Sequence, residues 1–320
     1  MLLSSILAVT LVLLIAPTLF AIGSSGWFAT RIKTEYQYTD YNAYRYPSPI
    51  RPIYPEHDWE QPEPYFAEFP EHRTLIRITQ AFGPQTSIQA RFQYSDLSDT
   101  KDQRLYFLKY AREVNSTTVV SAAWQMTEQP AYMDGHALML AWRYDRGGWI
   151  LLDAGIGVYR NAYDSGGVSP TVAPTFAVRW SVNSVTALTG RWEGYRTVYR
   201  KEASTSHALT GTLSRYFSTQ TAVHLMARYY TTDKNIQSLS PAIEVAQYIR
   251  WNLTFRAVYR YYDNGLEEGV SYDPIQSHAL RGFLEWQVGS DLKLHFKLRR
   301  YWSGDDVKMN TYLVGFEYTV

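Results

Sequence analysis

Residues 88–95 read Ile88-Gln89-Ala90-Arg91-Phe92-Gln93-Tyr94-Ser95, apolar and polar side chains in strict alternation. A period of two sends successive side chains to opposite faces, so this is a strand with one apolar and one hydrophilic face. The pattern extends outward in both directions. Upstream, Ile32, Thr34, Tyr36 and Tyr38 alternate with Arg31, Lys33, Glu35 and Gln37. Downstream, Val120, Ala122, Trp124 and Met126 form one apolar face, followed by Leu138, Leu140, Trp142 and Tyr144 and by Ile150, Leu152, Ala154, Ile156 and Val158. It continues through Val172, Phe176, Val178 and Trp180, then Val223, Leu225, Ala227 and Tyr229, then Leu253, Phe255, Ala257 and Tyr259, and finally Leu292, Leu294, Phe296 and Leu298. The opposite faces carry Arg, Lys, Gln, Thr, Ser and Gly.

The links supply a second regularity. Tight ones fall at Gly83-Pro84-Gln85, Val114-Asn115-Ser116, Asp145-Arg146-Gly147-Gly148, Val182-Asn183-Ser184, Ser218-Thr219-Gln220, Arg250-Trp251-Asn252 and Val288-Gly289-Ser290. Between them lie mostly longer ones, near 41–71, 96–103, 128–135, 161–170, 198–205, 231–240 and 263–276, with a short last one at 303–306. Short and long links in alternation match the periplasmic turns and external loops of transmembrane β-barrels, and the count is about sixteen strands, an even number. Most segments are roughly 10 to 13 residues long, enough for a tilted strand to cross hydrocarbon. An open sheet edge in lipid is prohibitively costly, so the sheet is expected to close, all-β and antiparallel, first strand against last.

Composition agrees. Tyr at 27 and Trp at 10 are abundant while mean hydropathy is −0.30. A membrane barrel needs apolar residues on one face only and concentrates aromatics at both interfaces. The absence of Cys removes disulfides, thiolate metal sites and a Cys nucleophile. A net charge of +1 gives no electrostatic case for nucleic acid. Leu2 to Ile22 is almost wholly apolar and Ala21-Ile22-Gly23 has small residues where a signal peptidase cuts, so 1–23 reads as a signal peptide and 24–320 as the barrel. The n-region has no Lys or Arg, and an uncleaved helical anchor is the rival reading of this segment.

Tyr312, Val314, Phe316, Tyr318 and Val320 alternate to the C-terminus. This resembles the C-terminal assembly signal of Gram-negative outer-membrane proteins, although Val320 stands where that family usually ends in Phe. Across 24–320 the chain resembles porin-like barrels. The resemblance implies a bacterial outer-membrane location, with lipid and the barrel-assembly machinery as partners, and a self-trimer or a periplasmic partner as further candidates.

With apolar faces to lipid, the opposite faces line the interior. Their basic residues include Arg31, Lys33, Arg77, Arg91, Arg256, Arg260, Arg281, Lys293, Lys297 and Arg299, with Arg143, Arg179, Arg191 and Arg228 on the intervening strands. The acids are fewer: Glu35, Asp153, Glu193, Glu244, Glu285 and Glu317. Closure is expected to bring Lys293, Lys297 and Arg299 beside Arg31, Lys33 and Arg77 as one basic wall, the arrangement that favours anions. The alternative is that these bases pair with interior acids and keep the lumen hydrated. The Pro-rich segment 41–71 carries Glu56, Asp58, Glu60 and Glu63, which either fold inward as a constriction opposite the wall or cap the barrel outside.

Enzymatic signals are weak. The His residues, at 57, 72, 136, 207, 224, 278 and 295, show neither metal-ligand spacing nor a triad pattern, with His224 and His295 on interior faces. No catalytic, metal or cofactor residue is expected. The leading expectation is a passive channel for small solutes. A conduit or scaffold for acidic polysaccharide, or a sheath around a multihaem cytochrome, comes second, and an outer-membrane enzyme third.

Overall fold

The computed structural model describes residues 29–41, 71–96, 102–129, 133–199, 202–233, 237–264, 276–303 and 308–320. They form sixteen strands: β1 Thr30–Tyr41, β2 Glu71–Phe82, β3 Thr86–Asp96, β4 Gln103–Asn115, β5 Thr118–Gln129, β6 Met133–Arg146, β7 Ile150–Tyr163, β8 Val168–Asn183, β9 Thr186–Tyr199, β10 Glu202–Phe217, β11 Thr221–Thr232, β12 Gln237–Arg250, β13 Leu253–Asn264, β14 Gln276–Gln287, β15 Leu292–Ser303 and β16 Lys308–Thr319. Each pairs antiparallel with its sequence neighbours, and β1 pairs with β16, closing the barrel as expected. The chain end completes the seam: Val320 N donates to the Thr30 carbonyl at 2.8 Å and Thr30 N to the Val320 carbonyl at 3.2 Å.

Alternation governs burial. In β6, residues 133–140 run buried and exposed in turn, and the outward residues include Leu138 and Leu140, 64% and 61% exposed. Cross-strand partners share a face, so register carries this assignment around the wall, from Leu138 to Val158 to Val172 and from Leu213 to Leu225 to Ile243. Aromatics gather toward both ends of this outer face, with Trp142, Trp180, Trp286 and Tyr318 toward the end that holds the termini and Tyr38, Tyr259, Tyr312 and Trp302 toward the other. An apolar belt with two aromatic girdles on a closed antiparallel sheet is stable only across a bilayer. This is the form that proteins of the bacterial outer membrane take, with the tight turns and the termini on the periplasmic side.

The tight turns have local causes. Gly147 and Gly148 both take positive φ, 61° and 79°, and Trp149 N donates to the Arg146 carbonyl at 3.2 Å, a tight turn inside the three-residue link between the paired Arg146 and Ile150. Asn115 Oδ1 accepts from Thr117 N and Asn183 Oδ1 from Val185 N, each at 3.0 Å, so two Asn-Ser links close in the same way.

The external links depart from expectation. Segments 161–170 and 198–205 read as loops, yet β7 runs to Tyr163, β8 starts at Val168, and only positions 200 and 201 separate β9 from β10. Asn, Ser, Gly and Pro there weaken strand propensity, but ladder pairing overrides it. Gly166 at φ 82° allows the tight return in which Tyr163 N donates to the Gly167 carbonyl at 2.8 Å. The wall is therefore taller over β6–β10, whose strands have 14 or 16 residues. The 1–23 segment and Glu56, Asp58, Glu60 and Glu63 lie outside the described residues.

Candidate functional site: the charged interior of the barrel

Register places all ten basic residues of the expected wall on the face opposite the apolar belt. Lys293, Glu317, Lys33, Arg77 and Arg91 follow one another in a single cross-strand row from β15 to β3. Arg281 lies opposite Arg299, Arg31 opposite Thr319, and Arg260 opposite Ala279. Lys297 and Arg256 flank Phe283, with the Arg256 guanidinium 5.1 Å from its ring centroid.

Every interior acid named from the sequence has a basic partner. Arg143 Nε donates to Asp153 at 2.6 Å, and Arg256 reaches Glu285 at 3.2 Å and Glu244 at 4.0 Å. Glu193 is held by Arg191 at 2.8 Å and Arg228 at 3.1 Å, and Arg31 lies 3.3 Å from Glu317. Glu35 is the most heavily engaged, with Lys33 Nζ at 3.0 Å, His295 Nε2 at 2.9 Å and Lys297 Nζ at 3.2 Å from one carboxylate oxygen. A buried carboxylate is tolerable only when so compensated. The named acids are thus paired, and the bases on the same face outnumber them.

Gly315 makes the Glu35 cluster possible. It lies opposite Glu35 on β1 and opposite His295 on β15, so the two side chains meet across the strand between them. A Cβ at 315 would collide with His295 Nε2 and come within 2.6 Å of the Thr34 carbonyl and 2.8 Å of Glu35 Cγ.

The interior also holds residues that alternation did not reveal. Leu75, Leu105, Phe107, Met139 and Tyr159 are buried on the inward face, and Arg73 and Lys109 lie there too, opposite Gln37 and Gln89. Apolar residues on both faces give runs such as Leu105-Tyr106-Phe107-Leu108, in which no period of two is visible. His224 and His295 are inward, as expected. His224 Nδ1 lies 2.8 Å from Ser214 Oγ in one cross-strand row with Glu244, a juxtaposition ten residues apart in sequence that only the hairpin reveals. The backbone around Ser214 is committed to ladder pairs on both sides and offers no donor pair for an oxyanion. Among the described residues no group of three or more His, Asp or Glu is placed to hold a metal ion.

No protein-family model matches the chain, and no curated protein matches it in sequence. Solved structures do match. The chain is similar to a bacterial polysaccharide outer membrane secretin, with a TM-score of 0.60 and 13% identity over 91% of this chain and 97% of that one. It is also similar to OpdK of Pseudomonas aeruginosa, TM-score 0.53 and 7% identity over 92% and 98%, and to OccAB3 of Acinetobacter baumannii, 0.53 and 8% over 92% and 99%. The likeness is one of fold, and the shared fold is the outer-membrane β-barrel.

Proposed function

We propose that this barrel is a passive outer-membrane channel for small solutes, with a preference for anions, and that it carries no catalytic site. The observation that supports the preference is the charge balance of the inward face. The acids Glu35, Asp153, Glu193, Glu244, Glu285 and Glu317 each have a neighbouring base, and Arg77, Arg91, Arg260, Arg281, Lys293 and Arg299 share the same face, so bases outnumber those acids along the described strands. Fixed positive charge on low-dielectric walls concentrates anions and opposes cations. Liposomes containing the barrel are expected to swell faster in an organic anion than in an organic cation of equal size. Equal or reversed rates contradict the preference.

A conduit for an acidic polysaccharide is the second reading. It rests on the same basic face and on the similarity to a polysaccharide outer membrane secretin. Permeation of small neutral sugars at rates that an added polyanion does not reduce argues against it.

A further inference from the structure

The outer face holds a feature that a solute channel does not use. Where β6–β10 rise toward the external side, His136, Arg160, Arg196 and His207 all point outward among apolar side chains. His136 lies opposite Arg160, Arg160 opposite Pro170, and Arg196 opposite Val172. His207 is on the next strand, diagonal to Arg196 across the pair Thr205–Arg196. Between Arg160 and Arg196, β8 supplies a floor of Pro170, Val172 and Pro174. Trp192 lies over Gly194, where its ring fills the space of a Cβ 3.4 Å from Pro174 Cγ, and His207 stacks on that ring at 5.9 Å and 22°.

The height fits a lipid headgroup. Ile150 opens the outward face of β7, and Arg160 lies ten residues farther on, one outward position before Ala162 at the external end. Ten residues of strand span roughly 33 Å, or about 25 Å along the axis at a tilt near 40°, the height of the apolar belt. Arg160 therefore stands at the external edge of the hydrocarbon, with Val158 and Leu138 below it. Neither Arg160 nor Arg196 makes an ion pair or side-chain hydrogen bond among the described residues, and a cation beside an imidazole on an apolar surface is costly unless an anion joins them. The rim carboxylates Glu128 and Asp134 face each other one step farther out, away from the floor.

We infer that His136, Arg160, Arg196 and His207 form an outward-facing site for the phosphate of a phosphorylated glycolipid in the outer leaflet. The guanidinium groups grip the phosphate, and the acyl chains descend along Leu138, Val158 and Val172. Arginine suits this role because its planar fork binds phosphate through paired hydrogen bonds.

The test is native mass spectrometry of the full barrel in detergent with bisphosphorylated lipid A, dephosphorylated lipid A and phosphatidylglycerol as probes. Bisphosphorylated lipid A is expected to bind at least about tenfold more tightly than the other two, and Arg160→Gln or Arg196→Gln to lower its affinity by about tenfold. Arg215→Gln, at the periplasmic end of β10, is expected to leave binding unchanged. Heat-modifiable electrophoretic mobility verifies that each variant folds, and the comparison of the three lipids on the unaltered protein needs no variant. Equal binding of the dephosphorylated probe overturns the phosphate site, and equal binding of phosphatidylglycerol overturns the glycolipid as its occupant.

Discussion

A methyl group at position 315 would press on the Thr34 carbonyl, which is backbone and cannot swing aside, as well as on Glu35 and His295. Gly315→Ala is therefore expected to destabilise the folded barrel by about 2 kcal/mol in urea titration. Gly282→Ala, where a Cβ meets nothing within 4 Å, is expected to have no comparable effect. Glu35→Gln removes the buried carboxylate that Lys33, His295 and Lys297 share, leaving two partly buried lysines without that partner, a loss of roughly 3 kcal/mol. The same change adds net positive charge to the interior, so conductance measurements should show stronger anion preference. Alternation alone put Glu35, Lys33 and Lys297 on one face, because each strand near them keeps the period of two. Their meeting over Gly315 was not legible, because it depends on register across the seam, which a single chain of letters does not state.

The strands show where pattern suffices and where it fails. Leu140 sits near the middle of β6 and faces outward, 61% exposed, so Leu140→Arg is expected to cost about 2–4 kcal/mol of folding free energy in a lipid bilayer. Gly147→Ala forces an L side chain into positive φ in the Arg146–Trp149 turn and is expected to cost about 1 kcal/mol, read as a shift in the urea midpoint. β6, β7 and β13 are legible because their outward faces keep apolar runs, Leu138 to Trp142, Ile150 to Val158 and Leu253 to Tyr259, while Arg143, Asp153, Gly155, Arg256 and Arg260 break up their inward faces. β4 is not, since Leu105 and Phe107 face inward while Tyr106 and Leu108 face outward, and its two faces differ too little for a period to emerge. The external ends of β7–β10 look like loops in the sequence for the opposite reason: polar and Gly-rich residues there gain their order from ladder pairing, a nonlocal effect.

At the scale of the whole molecule, the closed sheet, the outward apolar belt and the inward bases follow from one requirement, that every backbone polar group in hydrocarbon find a partner within the protein. Given closure, β14 to β3 become neighbours and their bases share a wall. The excess of bases on that wall is legible from alternation, but their pairing with Glu35, Glu193, Glu244, Glu285 and Glu317 is not, because it depends on which strands lie side by side and in what register. The most direct measurement is the single-channel reversal potential in a planar bilayer under a potassium chloride gradient. Channel conductance with a reversal potential displaced toward that of chloride is the expected result. A displacement toward potassium, or a folded barrel that does not conduct, would contradict it.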